Sequence, residues 1–165
     1  MRRFRCVIDA SVLIDCARGA ILQSLFHLEA DWMISDLAMA ELNDPTPDTL
    51  HGLGLQVMAL SGEDISQIIA IGSRYSALTV YDRAHLVLAQ RERAILLTSN
   101  RRLREAAEQN GVTVRGTLWL LDELVAAGLL TTAAAAHALR EMLAQGSRLP
   151  ANECQRRLKA WEKQP

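Results

Sequence analysis

The stretch Phe4-Arg5-Cys6-Val7-Ile8-Asp9-Ala10-Ser11-Val12-Leu13-Ile14-Asp15 decides how the chain is read. A short apolar, partly β-branched run ends abruptly in a carboxylate, and the residues after it recur at helical spacing. The run Cys6-Val7-Ile8 reads as a buried strand. Val12, Leu13 and Cys16 suit a helix packed back on a sheet. Asp9 then falls at the carboxyl end of the first strand, the edge where open parallel sheets form their ligand clefts. The same position suits a helix cap, and from this stretch alone Asp9 or Ser11 fits either role.

Working outward, Gly19 offers a helix stop, and Ala20 to Ala30 reads as a second helix carrying Ile21, Leu22, Leu25, Phe26 and Leu28. Trp32-Met33-Ile34 reads as a second strand, after which Ser35 caps a helix expected over Asp36 to Asn43, with Glu41 inside it. Pro45 and Pro47 make Asn43 to Thr49 a surface loop. A strand follows over Leu55 to Leu60. Ser61-Gly62-Glu63-Asp64 then has the form of a capping box for a helix to Arg74. Thr79-Val80-Tyr81-Asp82 leads into an amphipathic helix, Arg83 to Arg91, and Ala94 to Thr98 is the clearest buried strand. A helix from Arg101 to Gln109 and a last strand, Val112 to Val114, complete an alternation that implies a parallel sheet covered on both faces. From Gly116 onward only helices follow, stopped at Gly128 and Gly146 and ending near Trp161.

The totals narrow the class. With 165 residues, half of them apolar and 22% charged, the chain has room for one domain with a proper core and an appended helical piece. No uninterrupted apolar run approaches the ~18 residues of a membrane span. Met1-Arg2-Arg3-Phe4-Arg5 has the positive start of a signal peptide, but Asp9 and Asp15 break the apolar segment that should follow, so a cytoplasmic protein with no membrane attachment is expected. Three cysteines without CxxC spacing support neither a disulfide framework nor a thiolate zinc site and read as buried thiols. A net charge of −1 supplies no global attraction to nucleic acid, so any such binding relies on local basic clusters.

On this map Asp9 and Asn100 lie at strand ends, Asp82 at a helix start and Glu41 on a short helix after a strand. Three carboxylates and an amide at one edge repel one another unless a cation sits among them. Oxygen donors without a His or Cys cluster favour a hard ion, Mg2+ or Mn2+. Taken singly, Glu41 also reads as a solvated helix carboxylate, and Asp82 and Asn100 as caps.

The wording around these residues decides between the readings. The stretch Val7 to Asp15, Met39-Ala40-Glu41-Leu42, Asp82-Arg83-Ala84-His85-Leu86-Val87-Leu88-Ala89 and Ile95-Leu96-Leu97-Thr98-Ser99-Asn100-Arg101-Arg102-Leu103-Arg104, in this order, resemble a PIN domain. The ending from Gly111 through Gly116-Thr117-Leu118 to Gly128-Leu129-Leu130 is similar to a bacterial and archaeal subgroup related to VapC-like toxins. The resemblance implies an α/β/α sandwich with a central parallel sheet, residues 1–130 as the nuclease domain and 131–165 as a C-terminal helical extension. It also implies a metal-dependent endoribonuclease, the toxin of a toxin–antitoxin pair, with an RNA substrate, a cognate antitoxin protein and a homodimeric state.

By position, Asp9, Glu41 and Asp82 become acidic metal ligands, and Asn100 stands where many relatives have Asp. An amide brings no charge, which leaves room for a catalytically weak RNA-binding or protein-interaction module as the alternative. Arg83 also departs from the pattern, since relatives place a small residue there; its guanidinium suits a phosphate contact or a place in solvent, and solvent is the preferred expectation. Ser11 and Thr98 become candidates to orient the carboxylates, and Arg101, Arg102 and Arg104 to contact RNA, although a solvated helix face explains those arginines equally well. Asp15 reads as peripheral and His85 as structural. A phosphatase with Asp9 as nucleophile is the weaker competitor, because Ser11 stands where a second Asp is usual.

Overall fold

The computed structural model describes residues 3–163, so Met1 and Arg2 of the basic N-terminal stretch lie outside the described residues. Five strands, β1 (Phe4–Ile8), β2 (Ala30–Ser35), β3 (Gln56–Met58), β4 (Ile95–Leu97) and β5 (Val114–Arg115), form one parallel sheet in the order β3-β2-β1-β4-β5. Before β3 run α1 (Ala10–Arg18), α2 (Leu22–His27), α3 (Asp36–Met39) and α4 (Pro47–Leu53). After it come α5 (Gly62–Arg74), α6 (Val80–Glu92), α7 (Arg101–Gln109), α8 (Thr117–Ala126), α9 (Thr132–Ala144) and α10 (Ala151–Glu162).

Strand periodicity builds the two layers. Successive side chains point to opposite faces of a sheet. Cys6, Ile8, Trp32, Ile34 and Leu97 therefore enter the core shared with α1, α2 and α8 to α10, while Val7, Met33, Leu96 and Val114 enter the core shared with α5, α6 and α7. Cys6, Val7 and Ile8 are wholly buried, as a central strand with helices on both faces requires. Burying Val7 and Ile8 stabilises the fold by about 1.5–3 kcal/mol each. The result is an α/β/α sandwich.

The chain winds outward from β1 to β2 and β3 on one side, then crosses back to β4 and β5 on the other. Strand order thus reverses between β1 and β4, and at such a switch point the carboxyl-end loops diverge and leave a crevice. Asp9 follows β1 and Thr98-Ser99-Asn100 follow β4, so both flank that crevice. α9 packs on α1 and α10 on α9, placing Ala135, Leu139, Met142 and Trp161 in the first core.

Local structure departs from the sequence expectation at several element ends, among them the strand expected over Leu55 to Leu60, which is Gln56–Met58, and the helix expected from Arg83, which begins at Val80. The helix expected over Ala20 to Ala30 is only Leu22–His27, because Ala30 and Asp31 pair with Phe4 and Arg5 in the sheet. The helix expected to Asn43 stops at Met39, and the chain tightens through Glu41 N–H to Ala38 C=O and Leu42 N–H to Met39 C=O as Leu42 turns into the core. Within the expected loop, Thr46 caps α4 and Pro47 opens it, a position where the missing N–H costs nothing. Strand pairing of β5 begins at Val114 rather than Val112.

Candidate active site

Asp9 occupies the cap position of α1 in an extended conformation, yet its side chain bonds none of the helix amides. Its Oδ2 instead accepts from Thr98 Oγ1 at 2.7 Å and Ser11 Oγ at 2.9 Å, and its Oδ1 lies 3.3 Å from His85 Nε2. Asp9 is 7% exposed. Burial alone pushes its carboxyl up, but the His85 imidazole and the Thr98 and Ser11 hydroxyls outweigh it and bring the pKa down to about 2. The group is therefore an anion at neutral pH; Oδ2 already takes two donors, and the acceptor capacity left over is on Oδ1, which faces His85 alone.

Thr98 relays order across the crevice. Its wholly buried hydroxyl donates to Asp9 and accepts from the Asn100 N–H at 3.0 Å. Asn100 in turn caps α7, with Oδ1 accepting from Arg102 N–H at 3.0 Å and Leu103 N–H at 3.4 Å, while Nδ2 approaches Asp82 Oδ1 at 3.4 Å. Asp82 has the same double character. Its Oδ2 accepts from the Thr79 N–H in the capping box of α6 at 2.9 Å, and its Oδ1 turns toward Asn100. Capping and cleft-facing roles thus coincide, since each side chain divides its atoms between them.

Glu41 stands apart from this group. It is exposed on the turn after α3, with its carboxylate near the Tyr81 hydroxyl, whose pKa it pushes up. Among the described residues, no three His, Cys, Asp or Glu side chains converge closely enough to hold one ion. Asp9 and Asp82 nevertheless suit a hard cation. Such an ion commonly takes one or two carboxylates and fills its remaining positions with water and substrate phosphate.

Two further residues belong to the site's architecture. His85, three residues after Asp82, shares its helix face and is 1% exposed, so the i, i+3 spacing was the signal that could have placed it beside Asp9. Its Nε2 faces the Asp9 carboxylate, whereas its buried Nδ1 has no partner among the described residues. Asp15, expected at the periphery, is 4% exposed and accepts from Ser147 Oγ at 2.6 Å, Thr117 Oγ1 at 2.7 Å and Ser99 Oγ at 3.0 Å. The Ser99 N–H reaches Ser11 Oγ at 3.2 Å, which connects this second carboxylate to the one at Asp9. Nothing in the local sequence announces Ser147, which arrives from between α9 and α10.

Of the basic residues, Arg83 is not in solvent. It is half-buried and donates to the Ile68 and Thr79 carbonyls, tying α6 to α5 against the bare backbone of Gly72. The three arginines after Asn100 diverge. Arg101 and Arg104 line one cavity with Thr98 and Ser99, and Arg102 borders another beside Tyr75.

A doubly wound α/β/α sandwich with an ionised, buried aspartate at its switch point defines a class of protein that works on ligands at the carboxyl edge of the sheet. The family itself is shown by comparison: a PIN domain model matches residues 5–163, and the chain belongs to that family. PIN domains in general are nucleases that use divalent metals. The crystal structure of PAE2754 from Pyrobaculum aerophilum superposes with a TM-score of 0.57 at 16% identity, over 74% of this chain and 90% of that one, a likeness in fold. No curated protein matches.

Proposed function

We propose that the chain is a metal-dependent endoribonuclease that hydrolyses RNA phosphodiester bonds, with Mg2+ or Mn2+ as its ion. The observation that carries this reading is Asp9, held as an anion by His85, Thr98 and Ser11 at the switch point, with Asp82 and Asn100 across the crevice. When bound, a divalent ion activates the attacking water and offsets charge on the phosphate. Asp9 and Asp82 would hold it. Thr98, Ser11 and His85 fix the carboxylate of Asp9, and Asn100 holds Asp82 through its amide. Glu41 would complete the ligand set by turning from its exposed position beside Tyr81 toward the ion, and the Asn100 oxygen by giving up its cap on α7. Function as the toxin of a toxin–antitoxin pair, with an antitoxin partner and a homodimeric state, extends the reading on the strength of the sequence resemblance, and a cytoplasmic location is proposed with it.

A second reading, RNA binding without efficient cleavage, is favoured because Asp9, Asp82 and Glu41 do not form a group close enough to hold one ion among the described residues. One experiment separates the two: cleavage of a mixed RNA pool with Mg2+ or Mn2+ against EDTA, beside Asp9→Asn and Asp82→Asn. Metal-dependent products that fall at least a hundredfold, on the order seen for loss of a transition-state contact, in both folded variants support the nuclease. Metal-dependent RNA binding with no products from the wild type supports the binding module instead.

A further inference from the structure

Beside the acidic edge lies a cavity of about 450 Å3 between the first turn of α7, the end of β5 and the segment joining α9 to α10. Arg101, Arg104, Arg115, Arg148 and Arg157 line it, five of the 18 basic residues of a chain whose net charge is −1. Among the described residues, Glu153 is the one acid in its wall. Arg157 is met by Asp122 at 2.7 Å and Arg101 by Glu105 at 3.0 Å, while Arg104 lies 4.0 Å from Glu108. Among the described residues, Arg115 donates only to the Val114 carbonyl and Arg148 has no ion pair. Carboxylates of the chain offset Arg157, Arg101 and Arg104, which leaves the positive charge of Arg115 and Arg148 at this space for a bound anion to offset.

The remaining wall says which anion. Val114, Leu118, Leu149 and Pro150 give it an apolar side, and Trp119, half-buried, is held edge-on by Phe4 at 5.5 Å. The volume falls in the range of small-ligand pockets, ~300–1,000 Å3. α8 and α10 both begin without a side-chain cap, and residues of their first turns line the cavity, adding the positive ends of two helices. Guanidinium forks match phosphate oxygens, and an apolar wall accepts a base and sugar. Thr98 and Ser99, which line the cavity, are the residues bonded to Asp9 and Asp15.

We propose that this cavity is a binding site for one phosphate-bearing nucleotide, with Arg115 and Arg148 as its free phosphate donors. The nucleotide comes either from an RNA strand lying across the acidic edge, a form that rests on the nuclease reading, or from a free mononucleotide, which does not.

The test is isothermal titration of the full chain in EDTA, where no turnover occurs, with AMP, adenosine, inorganic phosphate and a short RNA oligonucleotide. Arg115→Ala and Arg148→Ala are compared with wild type, and Arg156→Ala, on exposed α10 surface outside the cavity, serves as the control. AMP should bind saturably, adenosine at least about tenfold more weakly, and each cavity variant should lose about tenfold, the worth of a charge-assisted bond. Arg156→Ala should bind as wild type does. RNA binding tighter than AMP, with the same arginine dependence, assigns the site to a strand; AMP binding without RNA binding assigns it to a free nucleotide. The proposal is overturned if no phosphate-bearing probe saturates, if adenosine equals AMP, or if both arginine variants bind unchanged. A protein that binds through these arginines yet cleaves nothing with metal defeats the nuclease reading alone, and one that cleaves but ignores both substitutions defeats this proposal alone.

Discussion

Replacing Asp15 by Ala removes the shared acceptor of three hydroxyl groups that come from three different parts of the chain. Ser147 and Thr117 bond it at 2.6 and 2.7 Å and Ser99 at 3.0 Å, around a carboxylate that is 4% exposed. A hydrogen bond to a charged group contributes about 1.5–3 kcal/mol, and a buried hydroxyl left without a partner costs about 1–3 kcal/mol. The three losses do not add fully, because water can enter the space vacated by the carboxylate, so about 3–5 kcal/mol is expected. In urea, with a slope of about 2 kcal/mol/M, the midpoint falls by roughly 1.5–2.5 M. Asp15→Asn keeps one oxygen, and its amide can donate to a reoriented hydroxyl, so it should cost about 1–2 kcal/mol. A cost below about 1 kcal/mol for Asp15→Ala at unchanged slope would show that these hydroxyls are solvated, and the reasoning would fail.

Two further outcomes follow from neighbouring contacts. The Asp9 carboxyl is held at about 2 against an ordinary value of 3.8, so the unfolded chain binds more protons between those values and stability rises with pH there. That stability is complete above the unfolded value and is lost as pH falls through about 2; urea melts from pH 5 to pH 2 should cost wild type about 2 kcal/mol more than Asp9→Asn, and parallel losses would refute the assignment. Gly72→Ala places a Cβ in steric overlap with Arg83 Nη1, which must leave the Ile68 carbonyl. The ~1 kcal/mol usually gained from Ala in a helix should therefore vanish in wild type and return in an Arg83→Ala background, and a double-mutant cycle with no coupling would count against that contact.

How much of this was legible in the sequence depends on the range of the interaction that carried it. Cys6-Val7-Ile8 before Asp9, the capping boxes at Ser61 and Thr79, and the alternation of strands with helices are local patterns, and they were sufficient for a parallel α/β/α sandwich with Asp9 at a strand end. The order of short motifs through Asn100 was sufficient for the family. Local patterns could not say that Asp82 and Asn100 split their atoms between a helix cap and the cleft, because that depends on how α6 and α7 meet across β4. Nor could they say where Glu41 ends up, since four residues of helix and a buried Leu42 turn it toward Tyr81. His85 against Asp9, Ser147 against Asp15 and the arginines gathered from α7, β5 and the α9–α10 segment join residues many positions apart, which only the packing of the layers brings within hydrogen-bond or Coulomb range. Sequence by itself determined which elements form and which carboxylate stands at the sheet's edge. The tertiary structure alone decided that carboxylate's partners, because burial, charge and hydrogen bonding act over distances through space that spacing along the chain does not encode.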